Sequence, residues 1–249
     1  MDEVVFRYIQ ERSFDKAVLI VGLPGIGSVA MLAADQLISE LGAEKIAEIY
    51  SLHLPARVFV DNDGMLGLMN NELYCYEREG QGILILTGAS QAQSQEGQYI
   101  MVRRILDEVK RLGVDFIITM GGYAISRMVD NPRVLGAATA KSIIRKYKKY
   151  GVSFGQGEPG GGIVGASGLF LGLGKLDDID GICLMGETSG YMPDPVAAKR
   201  VLQVIGEALA LDIKYSALDE KAKQIELIEE QLRENVQKNE SDEALRYIG

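Results

Sequence analysis

The chain has 249 residues, 47% of them hydrophobic, and a formal net charge of -9, so it is large enough for one α/β domain, or two small ones, without disulfide staples. Its 35 carboxylates against 26 basic side chains argue against nucleic acid as a partner, since such binding relies on Lys and Arg replacing counterions along phosphates. No leader pattern opens the chain and no apolar run reaches a membrane span, which leads to the expectation of a cytoplasmic protein with no membrane contact.

Residues 18–21 read as a buried strand that runs into Gly22-Leu23-Pro24-Gly25-Ile26-Gly27, with a helix expected over 28–41. Gly25-Ile26-Gly27-Ser28-Val29-Ala30 fits the G-x-G-x-x-G/A dinucleotide outline, in which glycines let a pyrophosphate approach a helix N-terminus. That outline also needs a carboxylate at the tip of the next strand to hold the ribose. The next strand, 45–52, ends instead in Ser51-Leu52-His53, and Ile26 stands where phosphate would lie. The turn therefore reads as a tight strand-to-helix connection.

Half-buried strands are expected at 45–52, 57–60, 65–69 and 72–76, with Asp61-Asn62-Asp63-Gly64 as a hairpin turn between the second and third. Further buried strands are expected at 82–87, 116–120 and 181–185, and helices at 95–112, 133–150 and 195–211. Pro195 suits the first turn of the last helix. The basic cluster Lys141, Arg145, Lys146, Lys148 and Lys149 alternates with Ile143, Ile144 and Tyr147 at helical spacing, so it reads as a solvated outer face. Residues 155–174 are dense in glycine and read as a buried loop leading into the apolar run 163–173. Strand and helix patterns in alternation predict an α/β layer fold with a largely parallel sheet. The division expected is a globular domain over 1–213 and, over 214–249, a helix and tail where glycine vanishes until the last residue.

Ligands of doubly wound sheets bind at the carboxyl ends of the strands. The loops there supply Gly25, Gly27, Ser90, Gly122 and Glu187 as candidates for a ligand pocket. They supply no catalytic machinery. The single histidine, His53, has no serine elbow of the G-x-S-x-G type, and reads as a packed or surface residue. One histidine and two separated cysteines, Cys75 and Cys183, cannot furnish a zinc shell and read as reduced, buried thiols. No catalytic residue, metal or cofactor is expected. The alternative is a small-molecule or nucleotide-binding protein, of hydrolase or phosphorylase type, working through the strand-end glycine loops.

Three stretches together carry a resemblance: Gly22 to Gly27, the glycine-rich 160–168, and Gly186-Glu187-Thr188-Ser189-Gly190-Tyr191-Met192-Pro193-Asp194-Pro195-Val196-Ala197-Ala198. Over about residues 3–213 the chain resembles the proteasome assembly chaperone family, in particular its archaeal members. The resemblance implies a three-layer α/β/α sandwich with a largely parallel central sheet, phosphorylase/hydrolase-like and without catalysis. It also implies homo-oligomers, a tetramer being one candidate, that bind proteasome α-subunits through C-terminal segments. This points to a non-enzymatic assembly chaperone or ATP-independent activator.

The tail adds a pattern of its own. Leu218, Ala222, Ile225, Ile228 or Glu229, Leu232 and Val236 recur at helical spacing, a stripe suited to seating on the chain's own domain or on a neighbouring subunit. A polar spacer, 238–243, then leads to Ala244-Leu245-Arg246-Tyr247-Ile248-Gly249, which resembles the hydrophobic-Tyr-X signal of proteasome activators. An apolar anchor, a tyrosine ring and a free carboxylate form the docking set, so Leu245, Tyr247, Ile248 and Gly249 are the partner-binding candidates. The match departs from that signal, because Tyr247 is third from the end and Arg246 precedes it.

Overall fold

The computed structural model describes residues 2–125, 127, 129, 131–155 and 161–228. The chain runs β1 (Val4–Tyr8), β2 (Lys16–Val21), α1 (Val29–Leu41), β3 (Glu44–Ser51), β4 (Val58–Val60), β5 (Leu66–Leu68), β6 (Asn71–Arg78) and β7 (Gln81–Gly88). It continues with α2 (Gln95–Arg111), β8 (Val114–Ala124), β9 (Val134–Ala138), α3 (Lys141–Lys148), α4 (Ala166–Leu176), β10 (Asp180–Thr188) and α5 (Pro195–Leu209). Eight strands make one sheet in the order β1-β3-β6-β7-β2-β8-β10-β9, while β4 and β5 pair with each other.

The four central strands, β7, β2, β8 and β10, are parallel. Both of their faces are covered, which is why they read as unbroken apolar runs. Leu19, Val21, Leu84 and Leu86 pack with Val102 and Ile105 of α2 and Phe170 of α4. Ile20, Ile83, Ile85 and Ile118 point the other way, into Leu37 of α1 and Val201 and Ile205 of α5. This is the α/β layering expected from the alternation of patterns, in the three-layer α/β/α form that the resemblance implies. Parallel pairing ends at β7 and β10, beyond which β6, β3, β1 and β9 are antiparallel. Strands β3 and β6 carry a polar ladder, in which Lys45 stands 2.8 Å from Glu72 and 3.4 Å from Glu48. The hydroxyls of Tyr50 and Tyr74 donate to the same two carboxylates.

Three expectations are corrected. The helix expected over 133–150 is a strand followed by a helix, because residues 134–138 pair antiparallel with β10, Ala138 opposite Ile182 and Val134 opposite Gly186. Its second half, α3, buries Ile143 and Tyr147 and turns its basic side chains outward, as the amphipathic pattern requires. The loop expected over 155–174 holds α4 instead. A Cβ on Gly174 would stand 2.9 Å from the Ile117 side chain and one on Gly181 2.6 Å from Leu171, so these glycines allow a helix to lie close on the sheet. Residues 156–160 of that expected loop lie outside the described residues. The strands expected to be half-buried at 57–60 and 65–69 form the β4–β5 hairpin, both strands of which are exposed throughout. Strand β1 appears beside β3 without having been expected.

Gly22, immediately after β2, lies close against α1. A Cβ there would lie 2.7 Å from the Ala30 carbonyl oxygen and 2.9 Å from the Met120 methyl, and would meet the Ala34 side chain as well. Two of these three neighbours are backbone or a short side chain that cannot swing away. Gly22→Ala is expected to destabilise by about 3 kcal/mol, a fall in Tm of about 6–12 °C by circular dichroism. An unchanged Tm would show that α1 does not sit this close.

The chain after α5 stays on the domain for one further segment. Ile213 and Leu218 are buried in the cluster beneath α1 and α5. The Gln36 side chain donates to the Lys214 carbonyl at 2.8 Å, and Glu40 accepts from the Lys214 N–H at 3.1 Å. Residues 216–228 are helical, with Ala222 and Ile225 half-buried and Leu227 and Ile228 exposed. Glu229, Leu232, Val236 and the terminal Leu245, Tyr247, Ile248 and Gly249 lie outside the described residues. No helix of the described residues is long and apolar enough to cross a membrane.

Candidate functional site

A single 3-10 turn, Ile26–Ser28, joins the glycine segment to α1, with Gly27 at φ 60 and Ser28 at φ 50. The left-handed conformation at Gly27 favours glycine, and so does its surroundings: a Cβ there would stand 2.8 Å from Thr188 Oγ1. The Asp194 N–H donates to the Gly27 carbonyl at 2.8 Å. Asp194 in turn caps α5, its carboxylate accepting from the Ala197 N–H at 2.9 Å, with Pro195 opening the helix. The β10–α5 connection is thus laid against the glycine turn.

Gly122 sits on β8 opposite Gly186 of β10, and Tyr123 opposite Glu187. The Ile26 carbonyl rests against Gly122, and the Thr188 methyl would lie 3.1 Å from a Cβ there. Gly27, Gly122 and the Glu187-Thr188 segment therefore converge, and the chain's own atoms fill the approach to both glycines. Gly25 is exposed and open on the side where a Cβ would stand.

Ser90 donates its hydroxyl to the Gln91 carbonyl at 2.9 Å. The neighbouring amide ties the loops together. Gln91 Nε2 donates to the Pro24 carbonyl at 2.7 Å, while its Oε1 accepts from the Ala166 N–H at 3.0 Å and from Gln98 Nε2 at 3.1 Å. One side chain thus links the glycine turn to the starts of α2 and α4. Its position just after a buried strand is the only sign of it in the sequence.

Glu187 is buried, and its partner is Arg133, immediately before β9. One carboxylate oxygen accepts from the Arg133 backbone N–H at 3.1 Å, the other from Arg133 Nε at 2.9 Å and from the terminal guanidinium nitrogen. These hydrogen bonds hold the Glu187 carboxyl below the usual carboxylate range. His53 lies half-buried against Gly97 of α2, its Nε2 3.9 Å from the Glu3 carboxylate. Cys75 and Cys183 are free and buried, their thiols pushed up to about 11 by desolvation. A groove of about 1420 Å³ lies away from the strand-end glycines, between the start of α2, β9 and α4, lined in part by Gln98, Ala138, Phe154, Ile163 and Leu169. Gly25, Gly27, Ser90, Gly122 and Glu187 are not in its lining.

A family model described as the PAC2 family matches residues 19–233. The chain belongs to the PAC2 family. The resemblance to archaeal proteasome assembly chaperones carried by the Gly22 and Gly186 segments agrees with this membership. A Methanocaldococcus jannaschii protein described as the uncharacterized protein MJ1210 is 37% identical over 258 residues, spanning all of this chain and 99% of its own. The crystal structure of Pyrococcus furiosus PbaB, described as an archaeal proteasome activator, is 38% identical, has a TM-score of 0.88, and covers 94% of this chain and 100% of its own. That of Pyrococcus furiosus PbaA, described as an archaeal homolog of proteasome-assembly chaperone, shares the fold at 24% identity and a TM-score of 0.77, covering 97% of each chain. The PAC2 match takes in the glycine turn, the hairpin and the Glu187 loop. It ends at residue 233, before the terminal docking candidates.

Proposed function

We propose that this protein is a non-enzymatic, homo-oligomeric proteasome assembly chaperone or ATP-independent activator of the cytoplasm, which engages the α-ring of the core particle through its C-terminal tails. The observation that carries the reading is the 38% identity, over the whole of the compared chain, to a protein described as an archaeal proteasome activator. The site geometry supports it. Gly27 and Gly122 are closed over by Thr188, Ile26 and the chain leading to Asp194, and the one buried carboxylate among the five candidates is committed to Arg133. The helical stretch that begins at residue 216 supports it too. Leu218 anchors that stretch to the domain, whereas Leu227 and Ile228 face solvent.

The test is an affinity pull-down with the full-length chain from native cytosol, without added nucleotide. Proteasome α-subunits are expected as the principal enriched species. Absence of α-subunits at saturating bait, with bait recovered intact, overturns the assignment.

A further inference from the structure

The chain holds 35 Asp and Glu residues, yet none of the described residues lining the groove between the start of α2, β9, α3 and α4 is one of them. The cations in its lining are Lys148 and Lys175. Lys175 is paired with Asp180 at 2.9 Å, whereas Lys148 is exposed and has no ion pair among the described residues. Residues three, four and seven apart share a helix face. Lys141, Ile144, Arg145 and Lys148 therefore lie along one side of α3, away from the buried Ile143 and Tyr147. Ile144 and Lys148 both line the groove, so this stripe is its rim. Lys141 and Arg145 are likewise exposed, with no ion pair among the described residues. The floor is apolar: Phe154, Ile163 and Leu169 are half-buried in the lining, and Val164 at its edge is 98% exposed. Gln93 and Gln95 bring side-chain amides to the α2 side. Gly172, also in the lining, has open space where a Cβ would stand, which lets another backbone lie against α4.

A concave surface of one sign with apolar walls focuses its field on whatever enters it. We infer that this groove is a docking site for a short acidic segment of a partner protein, with the carboxylates of that segment along the α3 stripe and its aliphatic or aromatic side chains on Phe154, Ile163 and Leu169. Size and charge select that occupant. At about 1420 Å³ the groove exceeds the roughly 300–1,000 Å³ of small-molecule sites. It suits a peptide, whose main chain the glutamine amides can bond both as donors and as acceptors. The net charge of -9 repels a long polyanion such as nucleic acid wherever it extends beyond the groove, while a segment of a few residues stays inside it.

This contact is additional to the tail docking proposed above and does not depend on it. The test is fluorescence anisotropy on the full-length chain with a labelled peptide that alternates Glu with Leu and Phe. Two control peptides carry Lys in place of Glu, or Ser in place of Leu and Phe. The acidic apolar peptide is expected to bind at least tenfold more tightly than either control, and to weaken at least tenfold when salt is raised to about 0.5 M. Arg145→Glu/Lys148→Glu should lower its affinity at least tenfold, and Val164→Asp should lower it as well. Lys110→Glu, on α2 outside the groove lining, should leave it unchanged. All four altered positions are exposed, so Tm should not move. Absence of binding, equal affinity for the Ser peptide, or unchanged affinity in Arg145→Glu/Lys148→Glu overturns the inference. Tighter binding of a labelled oligo-dT strand assigns the groove to nucleic acid and overturns it too. So does a gain of tenfold or more on removal of Leu245 to Gly249, because the occupant would then be the chain's own tail.

Discussion

Removal of Leu245 to Gly249 is expected to abolish co-sedimentation with proteasome α-rings, lowering apparent affinity by on the order of a hundredfold or more. The size follows from multivalency. On the proposed reading each tail is a short anchor of weak affinity, and several tails on one oligomer would convert weak contacts into a tight one. Tyr247→Ala removes a ring and a hydroxyl from every tail at once, so it should approach the effect of the deletion. The register gives a finer test. Tyr247 is third from the end, and deleting Gly249 alone makes it second, with the free carboxylate one residue nearer the ring. That variant is expected to bind as well as the full chain or more tightly. The Tm of the folded domain should be the same in all three, because its core is built from α1, α5 and the sheet and closes with Ile213 and Leu218. Undiminished co-sedimentation of the Leu245 to Gly249 deletion would move the contact to the globular face.

The parallel heart of the sheet was legible because burial on both faces leaves a signature that needs no partner to read. Residues 18–21, 82–87, 116–120 and 181–185 are apolar runs followed by glycine, and each lies in a central strand. Strand β9 was hidden because Gly136, Ala137 and Ala138 have little intrinsic preference for a strand, and what makes them one is pairing with β10. Helix α4 was hidden for the opposite reason. Gly174 of this helix packs on Ile117 of β8 and Gly181 of β10 admits Leu171, and local composition cannot distinguish such close packing from a loop. The hairpin turn was read correctly from Asp61 to Gly64, but alternation along β4 and β5 cannot say whether the chain itself supplies the surface that would cover them. At the candidate site the loops were legible from their strand ends. The partner of Glu187 was not, since Arg133 lies 54 residues away and meets it only through the fold.

That pair supplies the largest expected effect on the folded domain. Both carboxylate oxygens of Glu187 accept from Arg133, and the carboxyl is buried while the guanidinium is half exposed. Removing the carboxylate takes away the acceptor that the Arg133 backbone N–H and Nε use beside β9. Glu187→Ala is therefore expected to cost about 3 kcal/mol, the lower end for a broken buried pair because water still reaches Arg133. This corresponds to a Tm lower by about 6–12 °C. The pH dependence has a definite sign. The folded-state pKa of Glu187 lies below its unfolded value, with the Arg133 hydrogen bond as the leading cause. The stability it contributes is full above the unfolded carboxyl value, about 4.3, and is lost as pH falls through the folded one. The difference between wild type and Glu187→Gln should be constant from pH 7 to about 5 and shrink below about 4. A ligand-anchoring Glu187 predicts something else, namely a ligand-free Tm that does not depend on this side chain. Equal melting of wild type and Glu187→Ala at pH 7 would thus remove the structural role of the pair and favour small-molecule binding at the strand ends.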